Sequence, residues 1–199
     1  MSRPFRLGLT GSIGMGKSTT AQFFREAGVP VWDADAAVHA AYGPGGAAVA
    51  AIAALHPPAA GPEGVDRAAL KRWIAADPGA LARIEAAVHP VIARDRAEFL
   101  DRHRGADLVL LDIPLLYETG AERWLDAVLV VTAPADVQRA RVLARPGMTA
   151  EVLALLLAKQ MPDAEKRARA DHVIETTGLE TARAAVQDLI ARIRSQHHA

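Results

Sequence analysis

Cysteine is absent from the 199 residues, which excludes disulfides, cysteine-ligated zinc and thiol catalysis. Asparagine is absent as well. A Ras-type GTPase reads guanine through an Asn-Lys-x-Asp motif, so a guanine-nucleotide switch of that kind cannot be built from this chain. No apolar run is long enough to span a bilayer. Charge of neither sign is in excess, since 23 Lys and Arg stand against 23 Asp and Glu for a formal net charge of zero. Without a basic surplus or a one-sign block, neither nucleic acid nor a membrane is expected as a partner. What is there is 51% hydrophobic and 23% charged, an ordinary globular composition with enough apolar residues for a full core. The length suits one domain, or one domain carrying a substantial insertion. The first expected strand opens within a few residues of Met1, so no signal peptide is expected, and a cytoplasmic enzyme or switch is the expected class.

The octet Gly11-Ser12-Ile13-Gly14-Met15-Gly16-Lys17-Ser18 stands between an apolar run, Leu7 to Thr10, and a helical pattern. This is the G-x-x-x-x-G-K-[ST] phosphate-binding loop in its strand–loop–helix setting. Glycine at 11, 14 and 16 lets the backbone approach an anion with no Cβ in the way. Exposed N–H groups and the positive helix end then face the phosphates. Lys17 supplies a mobile cation for the β- and γ-phosphate oxygens, and the Ser18 hydroxyl is placed to ligate Mg²⁺.

Further along, a helix is expected from Lys17 to Ala27, stopped by Gly28. Val29 to Trp32 reads as a second strand ending in Asp33-Ala34-Asp35. From Ala36 to His103 the pattern is largely helical, with Asp77-Pro78 reading as a helix N-cap followed by proline at the first helical position. His89-Pro90 reads as a helix start or kink, with the histidine packed or capping. Strand character returns at Asp107 to Leu111, Ala127 to Thr132 and His172 to Ile174. A final helix places Val186, Leu189, Ile190 and Ile193 on one face. Alternating strands and helices imply a doubly wound parallel sheet, with substrates at the strand ends under the long helical insertion.

A second constellation surrounds the loop. Asp33 and Asp35 fall on the same sheet edge if the strands are parallel. A carboxylate there can take a proton from, or orient, an acceptor hydroxyl, and either aspartate can instead cap the helix that follows. Asp112 ends the third strand, where it can serve the magnesium shell or act as another cap. Gln138, Arg141 and Arg145 are spaced to share one helix face, suited to clamping phosphate or to meeting solvent. The segment Pro146 to Lys166 can close over ATP as a lid. No His-x-x-x-His or similar metal spacing occurs among the seven histidines.

Together these pieces resemble the dephospho-coenzyme A kinase family of P-loop small-molecule kinases. Residues 8 to 19, through Thr19, are similar to its phosphate loop, and Gly28-Val29-Pro30-Val31-Trp32-Asp33-Ala34-Asp35 to its second-strand motif. Asp66-Arg67-Ala68-Ala69-Leu70, Asp77-Pro78, Ile84-Glu85, His89-Pro90-Val91-Ile92 and Pro114-Leu115-Leu116-x-Glu118 follow in family order. Gln138, Arg141, Arg145, Gln160 and Ala170-Asp171 match the lid half. One departure is Thr176, which stands where the family usually has asparagine after the last strand.

The resemblance implies an α/β P-loop NTPase fold: a doubly wound five-stranded parallel sheet with a helical acceptor-binding insertion and a helical lid. The core would span about 1–35, 104–144 and 167–199, the insertion about 36–103 and the lid about 145–166. It implies transfer of the ATP γ-phosphoryl to the ribose 3′-hydroxyl of dephospho-coenzyme A, with Mg²⁺, by a monomer or weak homo-oligomer. Lys17, Asp33 and Arg141 would be catalytic, with Asp33 as the base or hydroxyl-orienting group. The loop from Gly11 to Thr19, with Arg141 and Arg145, would bind ATP. Asp35, His89, Leu115 and Glu118 would join Asp33 at the acceptor. The alternatives are another P-loop small-molecule or nucleoside monophosphate kinase, and a non-catalytic nucleotide switch.

Overall fold

The computed structural model describes residues 3–197. The apolar run before the loop forms β1 (Phe5–Thr10), followed by α1 (Lys17–Glu26), β2 (Val31–Asp33), α2 (Ala34–Tyr42) and α3 (Val49–Leu55). Two short strands, β3 (Ala60–Gly61) and β4 (Gly64–Val65), precede α4 (Arg67–Ala76) and α5 (Ala80–Arg102). Then come β5 (Leu108–Asp112), β6 (Ala127–Thr132), α6 (Ala135–Leu143), α7 (Ala150–Ala158), α8 (Asp163–Arg169), β7 (His172–Glu175) and α9 (Leu179–His197). The chain divides into two units, one formed by residues up to Asp33 and from His103 onward, the other by Ala34–Arg102.

The first unit is built on a five-stranded sheet of order β2-β5-β1-β6-β7, every pairing parallel. This is the α/β sheet expected of a phosphate-loop kinase. Its central strands are buried on both faces, which is why they read as continuous apolar runs rather than alternating ones. One face carries Leu7, Leu9, Leu108, Leu110, Leu129 and Val131, packed with Phe23 and Phe24 of α1 and Val186, Leu189, Ile190 and Ile193 of α9. On β1, Gly8 makes room for Leu116 and Leu125, since a Cβ there would run into both side chains.

Helix α1 ends in a Schellman motif: Gly28 N–H donates to Arg25 C=O and Val29 N–H to Phe24 C=O, each at 3.0 Å, with Gly28 at φ +76°. That motif consumes Val29, so β2 begins at Val31 instead of Val29.

The second unit packs its own core from Ala41, Ala48, Ile52, Ala69, Leu70, Ile84 and Val88. It departs from expectation in three places. The β3–β4 hairpin has strands of two residues, too short to show alternation in the sequence. Asp77 closes a turn instead of capping a helix at proline: its carboxylate accepts Gly79 N–H at 2.8 Å and its carbonyl accepts Ala80 N–H at 3.0 Å. Pro78 thus takes the position that proline favours in such turns. Pro90 neither starts a helix nor ends one, but lies inside the 23-residue α5, and His89 is exposed there rather than packed. No helix among the described residues is long and apolar enough to cross a membrane.

Candidate active site

The loop after β1 closes with Met15 N–H donating to Ser12 C=O at 3.1 Å, and Gly14 and Gly16 take φ of +79° and +86°. Both angles lie in the left-handed region that favours glycine. Helix α1 then starts at Lys17 with no acidic residue in its first turn and no side-chain cap. Its first N–H groups and its positive end are left for an anion. Ser18 and Thr19 are exposed, whereas Ser12 and Met15 are buried. Met15 is held inward by Ala133 N–H, which donates to its sulfur at 3.1 Å. Ser12 and Met15 therefore offer a phosphate their backbone only.

Lys17 Nζ lies 2.6 Å from Asp112 Oδ1. Asp112 is 2% exposed, so this carboxylate and Lys17 form a nearly dry pair at the end of β5. Asp33 is in register with Asp112 across the β2–β5 pairing, which sets the two aspartates one strand spacing apart, about 4.8 Å between strands. Arg25 approaches Asp33 at 3.9 Å. The C-terminal edge of the sheet thus gathers a mobile cation, a buried acid and a half-buried second acid beside the loop. Among the described residues no cluster of three His, Asp or Glu could hold a metal by itself. Ser18, directly after Lys17, and Asp112, paired with Lys17, are oxygen donors beside the loop. Such a sparse hard-oxygen set suits Mg²⁺, which keeps several waters and shares phosphate oxygens.

The three residues expected to share one helix face are separated by the structure. Gln138 is 7% exposed and turns inward, donating from Nε2 to Ile13 C=O at 2.8 Å. From the other side, Gln160 Oε1 accepts Ile13 N–H at 3.2 Å. One loop residue is therefore held by two glutamines, one at its C=O and one at its N–H. Arg145 falls beyond the helix altogether: α6 ends at Leu143 with Ala144 as its cap, and Arg145 is exposed. Pro146 is the reason, since a residue before proline is driven out of the helical region. Gln138 and Arg141 both stay on α6, Gln138 turned to the loop and Arg141 to the last strand.

Arg141 is positioned by Thr176. Its Nη1 donates to Thr176 Oγ1 at 3.0 Å and its Nη2 to Thr176 C=O at 2.6 Å. The same hydroxyl lies 2.9 Å from the Met15 carbonyl and 3.3 Å from that of Thr132, to either of which it can donate. A Cβ on Gly16 would come within 2.8 Å of it. The residue that departs from the family pattern is thus a buried joint between loop, last strand and arginine. Thr176→Val keeps the shape and removes the hydroxyl. It is expected to raise the KM for ATP about tenfold and to lower the Tm, because an unpartnered buried carbonyl costs about 1–3 kcal/mol. Steady-state kinetics and thermal unfolding check this, and an unchanged KM would show that Thr176 does not orient Arg141.

Among the expected acceptor residues, Leu115 is 41% exposed in the turn after β5, and Thr10 Oγ1 donates to the neighbouring Pro114 carbonyl at 3.0 Å. Glu118 Oε1 accepts Met161 N–H at 2.8 Å and lies 2.9 Å from Lys166 Nζ. Burial pushes the Glu118 carboxyl up, but the bonds from Lys166 and Met161 outweigh it and hold the group below the usual glutamate range. Asp35, in the first turn of α2, and His89, on α5, belong to the helical unit. Sequence reasoning missed Lys166, which is 0% exposed; its place in a densely charged run, Asp163 to Arg169, concealed it.

Comparisons with known proteins bear on the same arrangement. The family described as dephospho-CoA kinase matches residues 5–181. The dephospho-CoA kinase of Cereibacter sphaeroides is 66% identical over 192 residues, covering 96% of this chain and 97% of the relative. A solved Thermus thermophilus protein is 40% identical with a TM-score of 0.83, covering 96% of this chain and 98% of its own. The dephospho-CoA kinase structure from Campylobacter jejuni, at 23% identity and TM-score 0.73 over 96% of this chain and 98% of its own, shares the fold. With a phosphate loop, a buried strand-end acid and matches running nearly end to end, the chain belongs to the dephospho-CoA kinase family.

Proposed function

We propose that the protein transfers the γ-phosphoryl group of ATP to the ribose 3′-hydroxyl of dephospho-coenzyme A, giving coenzyme A and ADP, the last step of coenzyme A biosynthesis. The observation that carries this reading is the register of Asp33 beside Asp112, the partner of Lys17, in a chain of this family. It sets a half-buried acid one strand away from the phosphate-side cation, which is the separation an acceptor hydroxyl must bridge.

The loop from Gly11 to Thr19 cradles the phosphates through its backbone, and Lys17 exchanges Asp112 for phosphate oxygens when ATP enters. Asp33 accepts the hydroxyl proton as the acceptor oxygen bonds to the γ-phosphorus and the bond to the β–γ bridging oxygen breaks. Arg141 stabilises the charge spreading over the equatorial oxygens, and Arg145 reaches the phosphates from the lid side. Asp35, His89, Leu115 and Glu118 line the acceptor side, and residues 145–166 act as a lid that keeps water from the γ-phosphate. Ser18 and Asp112 would hold Mg²⁺ together with phosphate oxygens. The ion, when bound, neutralises charge developing between the β- and γ-phosphates.

Incubation with Mg-ATP and dephospho-coenzyme A, in parallel with adenosine, AMP, gluconate and shikimate, tests the assignment by mass spectrometry of the products. Phosphorylation of dephospho-coenzyme A alone is the expected result. Transfer to another acceptor would discard the acceptor assignment, and ATP binding without any transfer would discard catalysis.

A further inference from the structure

Helix α8 carries one charged side chain that solvent does not reach. Glu165, Arg167 and Arg169 are exposed, whereas Lys166 is 0% exposed, with its ammonium 2.9 Å from Glu118 Oε1. Long charged side chains are almost never fully buried. An apolar residue of similar volume would serve a merely structural position as well or better, because desolvation cancels most of what a buried ion pair gains. What the pair does provide is a fixed geometry between two segments: α8, and the turn after β5 that holds Leu115 and Glu118.

The residues just before α8 make the link continuous. Gln160 Oε1 accepts the Ile13 N–H of the phosphate loop at 3.2 Å, and the next residue, Met161, donates its N–H to Glu118 Oε1 at 2.8 Å. The start of α8 is itself pinned to the end of β6, where Thr132 Oγ1 donates to Asp163 Oδ2 at 2.8 Å. A strap of seven residues, Gln160 to Lys166, therefore touches the phosphate loop at one end and grips Glu118 at the other.

We propose that this strap couples the two substrate subsites, so that a nucleotide in the loop, felt at the Ile13 peptide, tightens acceptor binding through Glu118, and the acceptor tightens nucleotide binding in return. Gln160 and Lys166 are positioning residues in this scheme, acting on the acceptor through Glu118. The reciprocity is required by linkage, and couplings of this kind change affinity by about 5- to 150-fold. The inference rests on dephospho-coenzyme A being the acceptor.

Calorimetric titration of dephospho-coenzyme A, with and without saturating β,γ-imido-ATP and Mg²⁺, measures the coupling without turnover. The wild type is expected to bind the acceptor at least about fivefold more tightly with the analogue present. The double variant Glu118→Gln/Lys166→Met removes both charges and leaves an oxygen for the Met161 N–H. It is expected to keep a Tm near wild type and nucleotide affinity of the same order, yet to bind the acceptor equally with and without the analogue. Gln160→Ala, which leaves the buried pair intact, is expected to lose the coupling as well and stands in if the double variant does not fold. Retention of full coupling in these variants, or its absence in the wild type, would overturn the inference while leaving the acceptor assignment intact. Failure of the wild type to bind dephospho-coenzyme A at all would instead overturn the acceptor assignment.

Discussion

Replacing Asp33 by asparagine is expected to lower kcat by about 10²- to 10⁴-fold with little change in ATP affinity, the usual range for losing a positioned proton acceptor. The substitution keeps the size of the side chain and its place at the end of β2, in register with Asp112. It removes the capacity to take a proton. Arg25 approaches Asp33 at 3.9 Å, a partly exposed pair whose loss has a small effect on folding. Asp35→Asn provides the control, since that residue lies on α2 in the helical unit and is expected to act on acceptor KM more than on kcat. Product formation under saturating substrates, with ATP affinity from calorimetry, separates the two effects. Full turnover by the Asp33→Asn enzyme would remove Asp33 from the chemistry and leave the proton to another group.

The Lys17→Met variant is expected to lose both turnover and stability, and the second loss has a cause specific to this site. With Asp112 2% exposed and its oxygen 2.6 Å from Lys17 Nζ, the variant leaves a buried carboxylate without its cation. Breaking such a pair from one side costs about 3 kcal/mol or more. Adding Asp112→Asn removes the stranded charge. The double variant Lys17→Met/Asp112→Asn is therefore expected to regain most of the lost stability in urea unfolding while remaining inactive. If it regains neither, the instability comes from packing rather than from charge. If the single variant is as stable as wild type, the pair is not a dry one. Either way the comparison bears on the proposed exchange, in which Lys17 gives up Asp112 to reach phosphate.

Much of this site was legible from local sequence. The loop Gly11 to Ser18 needs a strand before it, a helix after it and glycine where φ is positive, and all three requirements are written within a few residues. The central strands announce themselves as apolar runs because both faces of the sheet are covered there. Helix and strand ends were read less well, and each error has a local cause: the Schellman motif absorbed Val29, Pro146 expelled Arg145 from α6, and the Asp77 carboxylate chose a turn. Pro90 shows the converse, since a helix of 23 residues holds in its interior a proline that the sequence pattern reads as a helix start or a kink.

The sequence by itself determined the class of ligand, the order of strands along the chain, and which acids and arginines are candidates for the phosphates. Tertiary structure alone decided which polar side chains hold one another. Thr176 meets Met15 across 161 positions, Gln160 meets Ile13 across 147, and Met161 meets Glu118 across 43. Periodicity and motifs report interactions between residues a few positions apart, because those are set by backbone geometry. A single hydrogen bond between distant residues leaves no period and no spacing behind it, so Gln138, Thr176 and the buried Lys166 acquire their meaning only once the sheet has brought their partners to the same edge.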